Sequence, residues 1–334
     1  MNTEHEWNAA SLLQLSGGYW EIFTLHAGVR LDVFTGIGDR QVSAETVAHE
    51  LACDPRAMAM LLDALSAMKL LRKEKGNYAL QEPASRFLVR TSDHYVGHMI
   101  LHHSHLAPSW AALAEAVRGG GPLRLRPSAN AAAQREAFLM GMFNLASLQA
   151  PRLVESLDLA GKRRLLDLGG GPGTYAIHFC QHYPDLTAVV LDLATTRPFA
   201  EKTIARFGLS DRIRFSAGDY HEDMINGTYE VVWLSQILHA ESHEDCRRLV
   251  GKAAAALEPG GVMFIHEFIL EDNMDGPLFP ALFALNMLLG TPRGQSYSES
   301  QLREMMRQAG LGHIRREPYV GPMQSGIISG IKES

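Results

Sequence analysis

Between Arg163 and Leu193 the chain reads RRLLDLGGGPGTYAIHFCQHYPDLTAVVLDL: an apolar run, a cluster of glycines, a helical stretch, and a second apolar run closing on Asp192. This order leaves few folds open. A strand that ends in glycines can turn tightly, bring its backbone against a ligand, and aim the N–H groups of the next helix at an anion. An acid at the end of the following strand, 19 residues after Gly173, is placed to accept both hydroxyls of a ribose. The stretch predicts a strand–helix–strand unit that holds an adenosine-containing ligand.

The same grammar continues to the end of the chain. Short apolar runs predict strands at 164–168, 188–193, 213–217, 231–234, 262–266, 313–317 and 326–331. Helical patterns separate the first six, and only a turn separates the last two. Such alternation implies a doubly wound, mostly parallel sheet, with the closing hairpin placing one antiparallel strand in it. Ser298 and Gln301 fit a capping box opening the helix ESQLREMMRQAG, which Gly310 stops.

Residues 9–156 read differently, as helix almost throughout. Ser43 caps SAETVAHEL, and Pro55 sits in the first turn of DPRAMAMLLDALSAMKLL, where a missing N–H costs nothing. RKEKGNYAL then predicts a hairpin turning at Gly76–Asn77. Two helices and a β-wing make a winged helix. Its second helix carries Met58, Met60, Leu61, Leu62, Leu65 and Met68, a buried face rather than a groove reader. Further on, GGGPLRLRPSAN reads as a loop, and the helix after it sets Phe138, Met142 and Leu145 on one stripe. The expected domains are 1–156, helical, winged, dimerising and capping the substrate, and 157–334, binding the cofactor.

Composition narrows the partners. A chain of 334 residues with 46% hydrophobic and 20% charged residues is an ordinary globular protein of two domains. A net charge of −6 argues against nucleic acid, which calls for a basic face. Cys53, Cys180 and Cys246 are too sparse for a disulfide framework, and no C-x-x-C pair suggests a metal. No secretory signal or membrane-spanning run is evident, so the expected compartment is the cytoplasm. His102, His103 and His105 invite a metal reading, but neighbouring helical positions point about 100° apart, and no acid or cysteine lies at a matching spacing. They are expected to line a substrate cleft or to pack between helices.

Three details select the ligand. The glycines follow G-x-G-x-G with Pro172 inside, not the dinucleotide pattern G-x-G-x-x-G. Asp167 lies inside the strand just before them. The third strand ends in Asp219–Tyr220, an acid for an adenine amino group and a ring to flank its face. In this order, at the ends of three successive strands, the expected ligand is S-adenosylmethionine, with S-adenosylhomocysteine (SAH) as its product.

These motifs, with ILHAESHEDC, LEPGGVMFIHEFIL and GQSYSESQLREMMRQAG, resemble the caffeate/acetylserotonin-type O-methyltransferases, including their bacterial branch. The resemblance covers nearly the whole chain. It implies a class I methyltransferase fold, a homodimer built through the N-terminal half, and no metal. By position it places Gly169 and Gly171 against the methionine part of the cofactor, Asp192 with Leu193 beside the ribose, Asp219 and Tyr220 at the adenine, and Ser235 at the amino acid end. It makes His239 the general base and Glu267 the carboxylate that orients it. Met142, Asn286, Met287 and His103 are candidate walls for a small-molecule acceptor.

Alternatives stand beside this reading. His239 precedes Ser242, a good helix cap, and could merely shape a turn. A metal pair His239/His243 fails, because the cap falls between them. The chain has His239-Ala240-Glu241 where the family commonly has His-Asp-Trp, so its acceptor pocket differs from the plant one. Transfer to sulfur or to an activated carbon would not need a base, and a winged-helix regulator that senses a metabolite would carry the same domains.

Overall fold

A computed structural model describes residues 7–123 and 132–333, and the chain divides into two compact units at His105/Leu106. The boundary expected near residue 156 lies just after a long helix of the second unit. Most of the loop expected at 119–130 falls outside the described residues.

The first unit runs α1 (Ala9–Gly17), α2 (Tyr19–Arg30), α3 (Val33–Ile37), β1 (Val42–Ser43), α4 (Ala44–Glu50), α5 (Pro55–Ala67), β2 (Leu71–Glu74), β3 (Asn77–Leu80), α6 (Glu82–Phe87) and α7 (Gly97–Ala111), which crosses the division. Ser43 and Asp54 cap α4 and α5 by accepting the N–H groups of Thr46 and Ala57. The wing is a three-stranded sheet in the order β1-β3-β2. Its hairpin turns at Lys75–Gly76, one residue earlier than expected, both residues having positive φ. The core joins Val29, Phe34, Ile37, Met58, Leu62, Leu65 and Tyr78. Met60, expected on the buried face, is 60% exposed, because two helical positions place it about 200° from Met58.

The second unit continues with α8 (Leu113–Gly119), α9 (Ala132–Glu155), β4 (Arg164–Leu168), α10 (Thr174–His182), β5 (Thr187–Asp192), α11 (Arg197–Arg206), β6 (Ile213–Ala217), β7 (Tyr229–Ser235), α12 (His243–Ala255), β8 (Leu257–Phe268), α13 (Leu278–Gly290), α14 (Glu299–Gln308), β9 (Leu311–Val320) and β10 (Ser325–Lys332). The strands form one sheet in the order β6-β5-β4-β7-β8-β10-β9, with β10 antiparallel to both its neighbours and the other pairs parallel. Helices cover both faces, so the central strands are apolar in both directions. Leu165, Val231 and Trp233 pack with α9, α10 and α11, while Leu166, Val232 and Leu234 pack with α12 and α14. On α9 the buried positions include Ala137, Ala150, Leu153 and Val154, whereas Phe138 of the expected stripe is 39% exposed and Met142 and Leu145 are half-buried. Ser298 and Gln301 form the capping box at α14.

Among the described residues no helix is long and apolar enough to cross a membrane. The three cysteines are free.

Leu302 of α14 is fully buried against the β7–β8 face. Leu302→Ala should lower stability by about 2–5 kcal/mol and Leu302→Met by less than about 1.5 kcal/mol, read from urea midpoints at unchanged slope.

Candidate active site

Parallel strands that all end on one edge of a sheet bring their C-terminal residues together. Here β4 ends at Asp167–Leu168, β5 at Asp192 and β7 at Ser235, while β8 ends in His266-Glu267-Phe268. In register, Asp167 lies beside Val190 and Trp233, and Ser235 beside His266.

The loop after β4 turns with Gly169 at φ +68° and Gly171 at +55°. A side chain at Gly169 would collide with Ile237, whereas the space beyond the Gly171 Cα is open. The Gly171 N–H donates to Asp192 Oδ2 at 2.9 Å, and Asp192 Oδ1 accepts from the Leu193 N–H and the Thr196 hydroxyl at 2.7 and 2.8 Å. A carboxylate has about four acceptor sites, so Asp192 holds the loop and keeps capacity for a further donor. Leu193 itself is 51% exposed.

Beneath the loop, Asp167 is buried. Its Oδ2 accepts the Ala176 N–H at 3.2 Å, and its Oδ1 has no partner. Burial, helped by the charge of Asp192, raises its pKa to about 7 against the pull of the Ala176 hydrogen bond. An open glycine cradle above an orphaned, buried carboxyl oxygen suits a ligand that carries a positive charge, and S-adenosylmethionine fits that donor set.

After β6, Asp219 accepts the His221 N–H at 2.9 Å and donates its own N–H to Asp223 at 2.7 Å. The half-buried Tyr220 donates its hydroxyl to Glu241 Oε1 at 3.0 Å, and His221 Nε2 lies 3.2 Å from the same oxygen. Glu241, the residue that departs from the family's tryptophan, thereby ties the loop after β6 to the loop after β7.

That second loop carries His239 in a short 3-10 turn, Leu238–Ala240. Glu267 Oε2 is 2.8 Å from His239 Nδ1, and Glu267 Oε1 accepts the N–H groups of Leu238 and His239 at 2.9 and 3.3 Å. Nδ1 therefore carries the proton, which leaves Nε2 as an acceptor. The ring lies edge-on to Phe283 at 4.7 Å and stacks with Phe268 at 6.3 Å, and Phe279 packs on both phenylalanines. Ser242 caps α12 and leaves His243 exposed at its start.

Asn286 and the buried Met287 lie on α13, one turn beyond Phe283, and Asn286 Oδ1 accepts the Trp110 indole N–H at 3.3 Å. Met142 is half-buried on α9, and no described contact joins it to His239. His103 lies in the first unit, exposed on α7, with its ring against His102. Among the described residues no group of three or more His, Cys, Asp or Glu side chains is placed to hold a metal ion.

Sequence reasoning used Asp167 only as a mark of the ligand class and gave no role to the three phenylalanines or to Gln236. Gln236 adopts φ +58° and has both amide atoms buried without partners, the kind of backbone strain that gathers at functional sites. For the phenylalanines a signal existed, since Phe279 and Phe283 stand four apart on one helix face.

An O-methyltransferase domain matches residues 113–312, and an O-methyltransferase dimerisation domain matches residues 13–90. The chain is 31% identical over 327 residues to the 3-hydroxy-5-methyl-1-naphthoate 3-O-methyltransferase of Streptomyces sahachiroi, covering 96% of this chain and 94% of the relative. It is 29% identical over 344 residues to the L-tyrosine C(3)-methyltransferase of Streptomyces lavendulae, covering 96% and 93%. The structure of PigF with SAH superposes with a TM-score of 0.87 at 25% identity, covering 98% of this chain and all of that one.

Because Asp167 keeps its proton in the fold up to about pH 7, the native state binds more protons than the unfolded chain between about pH 4 and 7. Without ligand, stability should fall as pH rises through that window, by on the order of 4 kcal/mol from this group. Asp167→Asn should flatten the slope in urea unfolding between pH 5 and 8, and an unchanged slope would refute the assignment.

Proposed function

This chain belongs to the O-methyltransferase family and is an S-adenosylmethionine-dependent O-methyltransferase, and from that premise we propose that it methylates a hydroxyl of a small aromatic acceptor with His239 as general base. The observation that carries this reading is the His239–Glu267 pair at 2.8 Å inside its phenylalanine cage.

When bound, the cofactor supplies an electrophilic sulfonium methyl. Gly169, Gly171, Asp192, Leu193, Asp219, Tyr220 and Ser235 are the residues proposed to hold it, the ribose falling to Asp192. What the chain must add is an aligned and deprotonated acceptor. A phenol ordinarily titrates near 10 and is protonated at neutral pH, while an imidazole near 6.5 accepts a proton readily. His239 Nε2 would take the proton of the acceptor hydroxyl, so that the oxygen is presented to the cofactor's methyl group as a nucleophile. Glu267 keeps the other ring proton on Nδ1 and stabilises the imidazolium that forms. Phe268, Phe279 and Phe283 exclude water around the pair, and Phe283 offers a face for an aromatic acceptor.

A second reading concerns the methylated atom. The relative that is a tyrosine C(3)-methyltransferase supports it, since removing a phenolic proton also activates the ring carbon beside the oxygen. Mass spectrometry of products from a panel of naphthols, catechols and tyrosine derivatives separates the two. Products methylated only on carbon would move the proposal to the second reading.

The homodimer is part of the same proposal. Leu13, Leu15, Trp20, Ile22 and Phe23 are each at least half exposed on α1 and α2, inside the segment that matches the dimerisation domain. So many exposed apolar side chains on two helices call for a partner, here a second copy. Trp20→Asp with Phe23→Asp should yield a monomer in light scattering, whereas a wild-type protein that is already monomeric would refute the assembly.

His239→Ala should lower kcat by about 10²–10⁴-fold and leave SAH affinity in calorimetry within a factor of about two. Retained turnover would remove His239 as base, and lost SAH affinity would make its role structural.

A further inference from the structure

The turn that carries His239 is held through its backbone from several sides. Glu267 Oε1 accepts the N–H groups of Leu238 and His239. The Cys246 thiol donates to the Leu238 carbonyl at 3.1 Å, and the Tyr297 hydroxyl donates to the Glu241 carbonyl at 2.7 Å. The His239 carbonyl meets a different neighbour, the bare backbone of Gly294 in the loop between α13 and α14. A Cβ on Gly294 would stand 2.5 Å from the His239 oxygen, 3.0 Å from the Ala240 carbonyl carbon and 2.5 Å from Thr291 Oγ1. Carbon and carbonyl oxygen ordinarily come no closer than about 3.3 Å. Glycine is required here for room and not for conformation, since Gly294 is not among the residues with positive φ.

The loop is fixed on its far side. Thr291 is buried, and its hydroxyl donates to the Met287 carbonyl and accepts the Gly294 N–H, each at 2.8 Å. Beyond Gly294, the buried Ser296 donates to the Pro280 carbonyl at 2.8 Å, and the Tyr297 carbonyl accepts the Leu270 N–H at 3.0 Å. The turn is the softer partner, because the His239 N–H reaches Glu267 only at 3.3 Å. A methyl group at Gly294 would therefore displace the turn. The His239–Glu267 contact of 2.8 Å, lengthened by about 0.8 Å, would no longer be a hydrogen bond. α13 thus bears on His239 twice, through Phe283 against the ring and through its following loop against the carbonyl.

We propose that Gly294 is a positioning residue for His239, and that the α13–α14 loop is the backstop that keeps the imidazole on Glu267. The absent side chain leaves room for the turn position in which Nδ1 meets the carboxylate. Tyr297 holds the same turn two residues further on. The consequence for turnover rests on the reading of His239 as general base.

The ring N–H resonance that His239→Ala removes from the proton spectrum of 15N-labelled protein reports the bond to Glu267. Its absence from the wild type would refute the bond and the proposal together. Gly294→Ala should move this resonance upfield or lose it to exchange with water. On the best acceptor from the naphthol, catechol and tyrosine panel, the variant should lower kcat by about tenfold to a hundredfold, as expected for a displacement of this size. KM, and SAH affinity in calorimetry, should stay within a factor of about two. Gly251→Ala on α12, where an added methyl meets nothing within 4 Å, is the control and should change none of these readouts. An unmoved ring resonance in Gly294→Ala would overturn the proposal, as would an equal loss of kcat and SAH affinity. A moved resonance with full turnover would uphold the placement and remove His239 as base. Should Gly294→Ala fail to fold, Tyr297→Phe takes its place, since it deletes only the hydroxyl that grips the turn. It should broaden the same resonance and lower kcat by about twofold to tenfold, and no change in either would overturn the proposal.

Discussion

Three donors end on the carboxylate of Glu267: the ring of His239 and the backbone N–H groups of Leu238 and His239. The loop after β7 has no regular partner for those N–H groups, and burying them unpaired would cost about 1–3 kcal/mol each. One side chain at the end of β8 therefore fixes both the course of the loop and the direction of the imidazole. Because β7 and β8 are neighbours in the sheet, the ring's position is set by strand register rather than by a flexible connection. Phe268, the next residue on β8, joins Phe279 and Phe283 in drying the pair, which strengthens its electrostatics.

The two sides of β8 do different work with adjacent residues. Glu267 holds the His239 ring and the N–H groups of the loop after β7. His266 faces the other way, fully buried and stacked on Trp233, with Ser235 Oγ 2.9 Å from its Nδ1 and Ser325 Oγ 3.0 Å from its Nε2. Glu241 makes a third link, joining Tyr220 and His221 to the loop that carries His239. Where the family commonly has tryptophan, a carboxylate here connects the loop after β6 to the loop that carries His239.

The architecture could be read from the chain because strand and helix alternate with clear apolar periods. β4 and β6 have the expected bounds, while β8 begins five residues before its apolar run. Its first residues, Leu257–Gly261, carry a proline and two glycines and show no strand pattern. The hairpin turn slipped by one residue because Asn77 resembles a turn residue, yet the positive φ before Gly76 falls on Lys75. In the site, the glycine loop and Asp192 are contiguous signals and legible as such. The His239–Glu267 pair spans two elements and came only through a family resemblance. Asp167's raised pKa, the phenylalanine cage and the hydrogen-bond chain at His266 depend on what neighbouring strands and helices bring, which no local pattern records.

β10 is the last strand in chain order but sits inside the sheet, between β8 and β9. As the chain leaves the ribosome, β8 remains an open edge, and β9 has nothing to pair with, until residues 325–332 have emerged. An open apolar edge is an invitation to pair with another chain. Ser325, the hydroxyl behind His266, arrives in that same final segment. Nascent protein therefore carries its glycine loop, its acids and its imidazole well before the sheet that aligns them can close, and any chain cut short before residue 325 would display the β8 edge permanently.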